Sequence, residues 1–512
     1  MGKLIVYTSS AGSGKTFTLA KEYLKTVLKN PNDFKNILAV TFTNKATDEM
    51  KVRIIDYLRH FAGRTKLPDG EDMKKDLLDS GVTLNEIGNS DIVLKNLLHN
   101  YTNFYVMTID SFFSQVVKSF AKELNLPSGF DYEIDENIVL EKIIGDIWQE
   151  SSTDDELLMY LVDMMRSRFD DGGNFNIDND LERIAKEIFK DRFWEMFSTQ
   201  EKADSVFPGK DFKKNLKNLR DDCSNFIKKF DSEYKKLAAD ACDYYHSLGL
   251  TVDDFFQKSN GIYSKLEKIK RGDVKKFNSY YIKGIMEGVL SGTKSGHEHI
   301  INSNKDEIIR YAKSVYDYYK NNIKVYLNYK TVSKNLMLTG LFADLYKNLQ
   351  AYKDKNSVLL ISDVAKIIRQ SVGENNEFTP FIFEKFGSNF TYILIDEFQD
   401  TSSFQWHNLR PLIVNSISEN HNSMVVGDAK QSIYRFRNGN MELLVKGIYN
   451  DINRNNITDI VLDTNHRSLK NIVEFNNSFF EKIIEKVKVN LSDGSENNKE
   501  IFEKAYNDVR QK

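Results

Sequence analysis

Eight residues near the start of the chain, Ser9-Ser10-Ala11-Gly12-Ser13-Gly14-Lys15-Thr16, restrict the fold more than any other segment. An apolar run, Leu4 to Thr8, precedes them, and a helical pattern from Phe17 to Leu28 follows. A small-residue turn between a strand and a helix points backbone amides at an anion, with the helix dipole behind them. The spacing makes Ser9 to Thr16 a phosphate-binding loop. In it Lys15 reaches the outer phosphates of ATP and Thr16 holds Mg2+. A strict motif asks for glycine where Ser9 stands, so placement between strand and helix carries the assignment.

A loop of this kind needs an acid at the tip of a buried strand. Ile393-Leu394-Ile395-Asp396-Glu397 offers three apolar residues and then two carboxylates. Asp396 is the expected Mg2+ partner, and Glu397 the group that orients and deprotonates the attacking water. Phosphoanhydride hydrolysis follows as the expected chemistry.

Between these sites the chain changes character. Up to about residue 126, short apolar runs (Ile37 to Phe42, Phe104 to Ile109) alternate with helical segments such as Lys45 to Leu58, the pattern of a parallel sheet covered by helices. From 127 to 357 strand-like runs nearly vanish, and Lys, Asp, Asn, Tyr and Phe recur at helical spacing, as in Ile308, Tyr311, Val315, Tyr318 and Tyr319. The Tyr/Lys-rich stretch Arg310 to Lys330 fits an amphipathic helix with a solvated lysine face better than a nucleic-acid surface. Buried strands resume at Tyr392 to Ile395 and Met424 to Val426. A last strand and helix, Ile460 to Leu462 and Ser468 to Ile484, read as the opening of another lobe.

Composition adds bounds. A chain of 512 residues exceeds the size at which one core usually splits. The formal charge of -3 is compatible with a local basic groove. Cys223 and Cys242 lack disulfide or metal spacing and read as small buried hydrophobes in a reducing cytoplasm. His297-Glu298-His299 has the wrong spacing for a helical zinc pair and reads as a solvent-exposed loop. No apolar run is long enough for a membrane span.

Four further runs fall in a fixed order: Thr41-Phe42-Thr43-Asn44-Lys45-Ala46, Asp396-Glu397-Phe398-Gln399-Asp400-Thr401, Gly427-Asp428-Ala429-Lys430-Gln431-Ser432-Ile433-Tyr434-Arg435-Phe436-Arg437, and Asn465-His466-Arg467-Ser468. Together with the phosphate loop they resemble the ordered motifs of UvrD/Rep-type superfamily 1 helicases. Lys430 to Tyr434 and Thr108-Ile109-Asp110-Ser111-Phe112-Phe113 are most similar to the RecB/AddA branch. The resemblance covers residues 1–125 and 358–480. Three departures lie off the catalytic positions: His466 for the usual tyrosine, Thr47 for alanine and Asp110 for histidine. The adenine-reading glutamine motif has no counterpart before Ser9.

The resemblance implies a RecA-like α/β domain (1–126 and 358–445), a helical insertion domain (127–357) and the start of a second RecA-like lobe (446–512). It implies that Gln431 senses the terminal phosphate and that Arg467 is an arginine finger. It also implies that Phe42, Tyr434 and Phe436 stack on bases of single-stranded DNA, and that Thr43, Asn44, Thr108 and Ser111 contact the strand. The implied function is ATP-dependent movement along single-stranded DNA within an end-processing helicase-nuclease that has a partner subunit. A nuclease domain is expected further along. A nucleotide switch or clamp that binds DNA without moving is the alternative, and a small-molecule kinase fits less well because it needs no strand-coupled sensors. After Arg467 the chain has one more arginine, Arg510. Residues 1–512 are therefore expected to bind ATP, hydrolyse it slowly and unwind nothing.

Overall fold

The computed structural model describes residues 2–122, 130–133, 136–170, 176–191, 193, 212–274, 277–290, 296–372, 390–491, 496–506 and 509–512. The chain divides into two compact units. One comprises Met1–Glu136, Phe189–Glu195 and Tyr352–Lys512, the other Asn137–Ile188 and Met196–Ala351.

The first unit is built on a parallel sheet of six strands: β1 (Leu4–Ser9), β2 (Ile37–Thr41), β3 (Val106–Thr108), β6 (Tyr392–Ile395), β7 (Ser423–Gly427) and β8 (Ile457–Leu462). Their order across the sheet is β3-β2-β6-β7-β1-β8. Every pairing is parallel, with Val6 opposite both Val425 and Asp459, and Ala39 opposite Leu394. Alternate side chains leave opposite faces of a strand, and here both faces are covered. Leu4, Val6, Val40, Ile393, Ile395 and Val425 pack on one side with helix α3 (Ile109–Ser119). Tyr7, Ala39, Leu394, Met424 and Val426 pack on the other with α1 (Lys15–Lys29) and α2 (Asn44–Phe61). Fully burying one such side chain contributes about 1.5–3 kcal/mol, so a register slip of one residue would be costly.

One strand is placed differently from the sequence reading. β8, expected to open a second lobe, is instead the edge strand of this sheet, hydrogen-bonded to β1 over Leu4–Ser9. Only Ile457 is buried; beyond it half-buried and exposed residues alternate. Its partner lies some 450 residues earlier, so no local signal could have shown the pairing.

A two-stranded parallel ladder, β4 (Asp131–Glu133) with β5 (Val358–Leu360), joins the point where the chain leaves this unit to the point where it returns. β4 falls inside the stretch, 127–357, in which strand-like runs nearly vanish from the sequence. The second unit is helical. Among the described residues its two longest helices, α4 (Phe212–Ser247) and α5 (Lys305–Thr339), share a core of aromatic rings. Phe230 lies 4.3 Å from Tyr326, and Tyr245 donates its hydroxyl to the Ile308 carbonyl at 2.7 Å. Within Arg310–Lys330, Ala312, Val315 and Tyr326 are buried, giving the amphipathic helix its apolar face. Cys223 and Cys242 are buried free thiols, and burial pushes the Cys242 thiol up to about 12. His297 lies in the turn that precedes a short helix, Glu298–Ser303, with its Nδ1 3.0 Å from Asp254 Oδ1; Glu298 and His299 are exposed, as expected, but helical.

Candidate nucleotide and DNA site

In an open parallel sheet, ligands bind beyond the carboxyl ends of the strands. There β1, β2, β6, β7 and β8 release the segments singled out from sequence.

The loop after β1 turns through Gly12 and Gly14, at φ of 78° and 85°. Gly14 caps α1 in the left-handed conformation. Gly12 is constrained twice over, because a Cβ there would lie 2.9 Å from Asn465 Oδ1 and 3.0 Å from Arg467 Cβ. Ser9, buried, donates its hydroxyl to the Gly427 carbonyl at 3.0 Å. Ser13 Oγ accepts from the Ser10 amide at 3.3 Å. The Ala11 carbonyl accepts from the side-chain amides of Asn465 (3.1 Å) and Gln511 (2.9 Å), and the Gly12 carbonyl accepts from the His466 amide at 2.9 Å. Thr16 lies in the first turn of α1.

Lys15 Nζ donates to Glu397 Oε2 at 2.8 Å and to Gln431 Oε1 at 3.2 Å. Residues from opposite ends of the chain thus converge on one ammonium group. Glu397 has a left-handed backbone, φ 47° and ψ 45°, rare for a residue with a Cβ and common where a side chain must be aimed. Asp396 lies beneath it, buried, and its Oδ1 accepts the Glu397 amide at 2.8 Å. Burial first, and the Glu397 charge second, push the Asp396 carboxyl from its ordinary 3.8 up to about 7, with Lys15 pulling the other way. A buried carboxylate whose nearest ammonium is committed to Glu397 suits a hard cation with oxygen ligands. Asp396, with Thr16 of the first turn of α1, would hold Mg2+ here. A divalent ion would compensate the charge that burial disfavours.

That strain predicts a pH signature. The folded state binds the Asp396 proton more tightly than the unfolded chain, so stability falls as pH rises from about 4 to 7, and the full penalty is present above 7. Asp396→Asn is therefore expected to raise the melting midpoint of metal-free protein at pH 8 but not at pH 4. Melts in a chelating buffer across that range check it, and a gain independent of pH would count against it.

Beyond β7, Asp428 is buried and organises its loop. Its carboxylate accepts from Gln431 Nε2 at 2.8 Å and pairs with Lys430 Nζ at 2.9 Å. Beyond β8, Asn465 Oδ1 accepts the Arg467 and Ser468 amides, both at 2.9 Å, and leaves the Arg467 side chain exposed beside the loop. The sequence reading assigns no role to Asp428, Asn465 or Gln399, although each lies inside a motif run. Burial of a polar side chain, invisible in one sequence, is what marks Asp428 and Gln399.

The aromatic candidates also meet. Phe42, following β2, lies 4.6 Å from Tyr434, and Tyr434 lies 5.9 Å from Phe436. The Arg437 guanidinium lies about 6 Å from both rings of the second pair. Phe42 is half-buried and Phe436 is 68% exposed. Thr43 and Thr108 serve as helix caps, accepting from the Ala46 and Ser111 amides at 3.2 Å. The Thr108 and Ser111 hydroxyls lie 2.7 Å apart, and Asn44 and Ser111 are exposed. Thr47 donates to the Thr43 carbonyl at 3.2 Å and shares a 2.6 Å hydrogen bond with Thr41, so its hydroxyl is absorbed locally.

No described helix is long and apolar enough to cross a membrane. The sequence matches the UvrD/REP helicase N-terminal domain over residues 1–451. It is 26% identical over 522 residues to the ATP-dependent helicase/nuclease A subunit of Clostridioides difficile (strain 630), covering 94% of this chain and 37% of that protein. It is 23% identical to the protein of the same name from Lactococcus lactis subsp. cremoris (strain SK11), and 24% identical to exonuclease/helicase subunit RexA of strain MG1363. Each of these two alignments covers 97% of this chain and 40% of the relative. The chain spans about two-fifths of the length of these curated relatives. The match over residues 1–451, on a parallel sheet whose carboxyl ends gather Lys15, Glu397, Gln431 and Arg467, shows that the chain belongs to the UvrD/REP helicase family.

Proposed function

We propose that this chain is the ATP-hydrolysing front part of a DNA motor that moves along single-stranded DNA. The motor would belong to a helicase-nuclease that works in the cytoplasm with a partner subunit to process DNA ends for repair and recombination. The convergence of Glu397 and Gln431 on Lys15, within 3.2 Å, carries the reading. A hydrolytic acid and a phosphate sensor share one cation, which would change partner when a phosphate arrives.

In this reading Lys15 leaves Glu397 for the outer phosphates, with the loop amides supplying the rest of the cradle. Glu397, freed, accepts the proton of the attacking water, while Gln431 reports whether the terminal phosphate is present. Arg467 neutralises charge that develops on that phosphate. Thr16 and Asp396 would hold Mg2+, which when bound would supply electrophilic stabilisation of the phosphate charge. Phe42, Tyr434 and Phe436 hold successive bases through their faces, which binds without reading sequence. Thr43, Asn44, Thr108 and Ser111 edge the same track.

The rate of ATP hydrolysis with and without a homopolymeric single strand tests the proposal. A motor is stimulated by the strand. A clamp or switch that binds DNA at the same ATP turnover would overturn it. The stacking role has its own expected result. Phe436→Ala should weaken single-stranded DNA binding by about 1–3 kcal/mol, equally for unrelated sequences, with no fall in melting midpoint because the ring is exposed. Phe42→Ala should lose similar affinity. Normal DNA affinity in folded Phe42→Ala protein with a lowered midpoint would make that ring a packing residue.

A further inference from the structure

Gln399 is almost completely buried, at 1% exposure, two residues beyond Glu397. Its Nε2 donates to Glu397 Oε2 at 2.7 Å, and its Oε1 accepts the Asp428 amide at 2.9 Å. The second bond fixes the orientation of the first, because an amide that accepts at Oε1 must present its N–H group to the carboxylate. Gly427 leaves room for this crossing: a Cβ there would lie 2.7 Å from Gln399 Oε1.

Glu397 Oε2 therefore has two donors, Lys15 and Gln399. If Lys15 moves to phosphate, Gln399 is the donor that stays. A neutral amide can aim a carboxylate without taking its charge, whereas a permanent lysine partner would hold the carboxylate in an ion pair and make it a poorer base. The same short turn also ties to the loop that bears the aromatic rings. Ser432 Oγ, one residue before Ile433 and two before Tyr434, donates to the Gln399 carbonyl at 3.3 Å.

We infer that Gln399 is the positioning residue of Glu397, aiming its carboxylate at the water once Lys15 has turned to phosphate, and that it anchors this aim to the loop carrying Tyr434. The inference rests on the hydrolytic reading above and adds to it a residue that touches neither nucleotide nor DNA.

Two substitutions reach the same bond from opposite sides: Gln399→Leu removes the donor, and Gly427→Ala displaces it. Each is compared with the parent chain, with Glu397→Gln and with the Gln399→Leu/Glu397→Gln double variant. Binding of a fluorescent ATP analogue and single-turnover hydrolysis, with protein in excess, are measured for all. Gln399→Leu and Gly427→Ala are expected to keep ATP affinity and to hydrolyse on the order of 10–100-fold more slowly, the usual scale for a group that orients a reacting one. The double variant should be no slower than Glu397→Gln alone, because a residue that acts through Glu397 then has nothing left to aim. Parental hydrolysis in Gln399→Leu, or a double variant slowed by the product of the single effects, would overturn the inference. If Gln399→Leu binds no ATP, the decision falls to Gly427→Ala, whose parental rate overturns it equally. A parent chain no faster than Lys15→Ala is a separate result: it removes the hydrolytic reading itself, and this inference with it.

Discussion

Glu397→Gln is expected to slow ATP hydrolysis by about 10²–10⁴-fold, the usual loss when a general base is removed, while ATP binds as tightly as before or more tightly. The direction of the binding change comes from the ion pair. Lys15 donates to Glu397 at 2.8 Å in the free protein, and phosphate must compete for that ammonium. A glutamine keeps the shape, removes the charge and weakens the competitor. The left-handed backbone at 397 is unchanged, so the fold should be too. Titration calorimetry with ATP and Mg2+, beside a single-turnover assay, checks both halves. Parental turnover would remove Glu397 from the base role. Weaker binding with slowed turnover would mean that the carboxylate contributes to nucleotide affinity rather than opposing it.

Arg467→Ala should cost still more in rate, about 10³–10⁵-fold for a finger that neutralises transition-state charge, with a smaller loss in affinity. Asn465 holds the Arg467 backbone through its amide and anchors to the Ala11 carbonyl, so the arginine is aimed from the phosphate loop itself. Its side chain is exposed, and truncation should leave the melting midpoint unchanged. Arg467→Lys is the sharper comparison: it keeps the charge but not the planar fork, and most of the loss should persist. Hydrolysis at the parental rate in Arg467→Ala, with ATP bound, would make Arg467 a surface arginine.

The legibility of the chain followed the range of the interactions concerned. The strand, small-residue turn and helix around Lys15, and the acid pair that follows a buried strand, were readable because their signals are local. The sheet's buried strands were readable as short apolar runs, as in Ile37–Thr41. The placement of β8 was not, since its partner is fixed by packing across the whole first unit and not by any residue near 457. Gln399 lies inside a motif run, yet nothing in the run marks it. Its importance lies in two hydrogen bonds, one to a residue two positions away and one to Asp428, and in the bare Gly427 that lets it pass. The stacking candidates were legible as aromatic residues at motif positions, but the contact between Phe42 and Tyr434, nearly 400 residues apart, was not.

The position of β1 between β7 and β8 has a consequence for biosynthesis. β1 is made before the other strands of its sheet, yet its neighbours on either side begin at Ser423 and Ile457. At a translation rate of about 5–20 residues per second, roughly 20–80 s separate its emergence from the ribosome and that of its first partner. Through that interval both of its edges, and the apolar residues Leu4 and Val6, lack their final cover. A nascent strand in that condition is a natural client for chaperones that shield exposed backbone, and the helical unit can complete its own core while β1 waits.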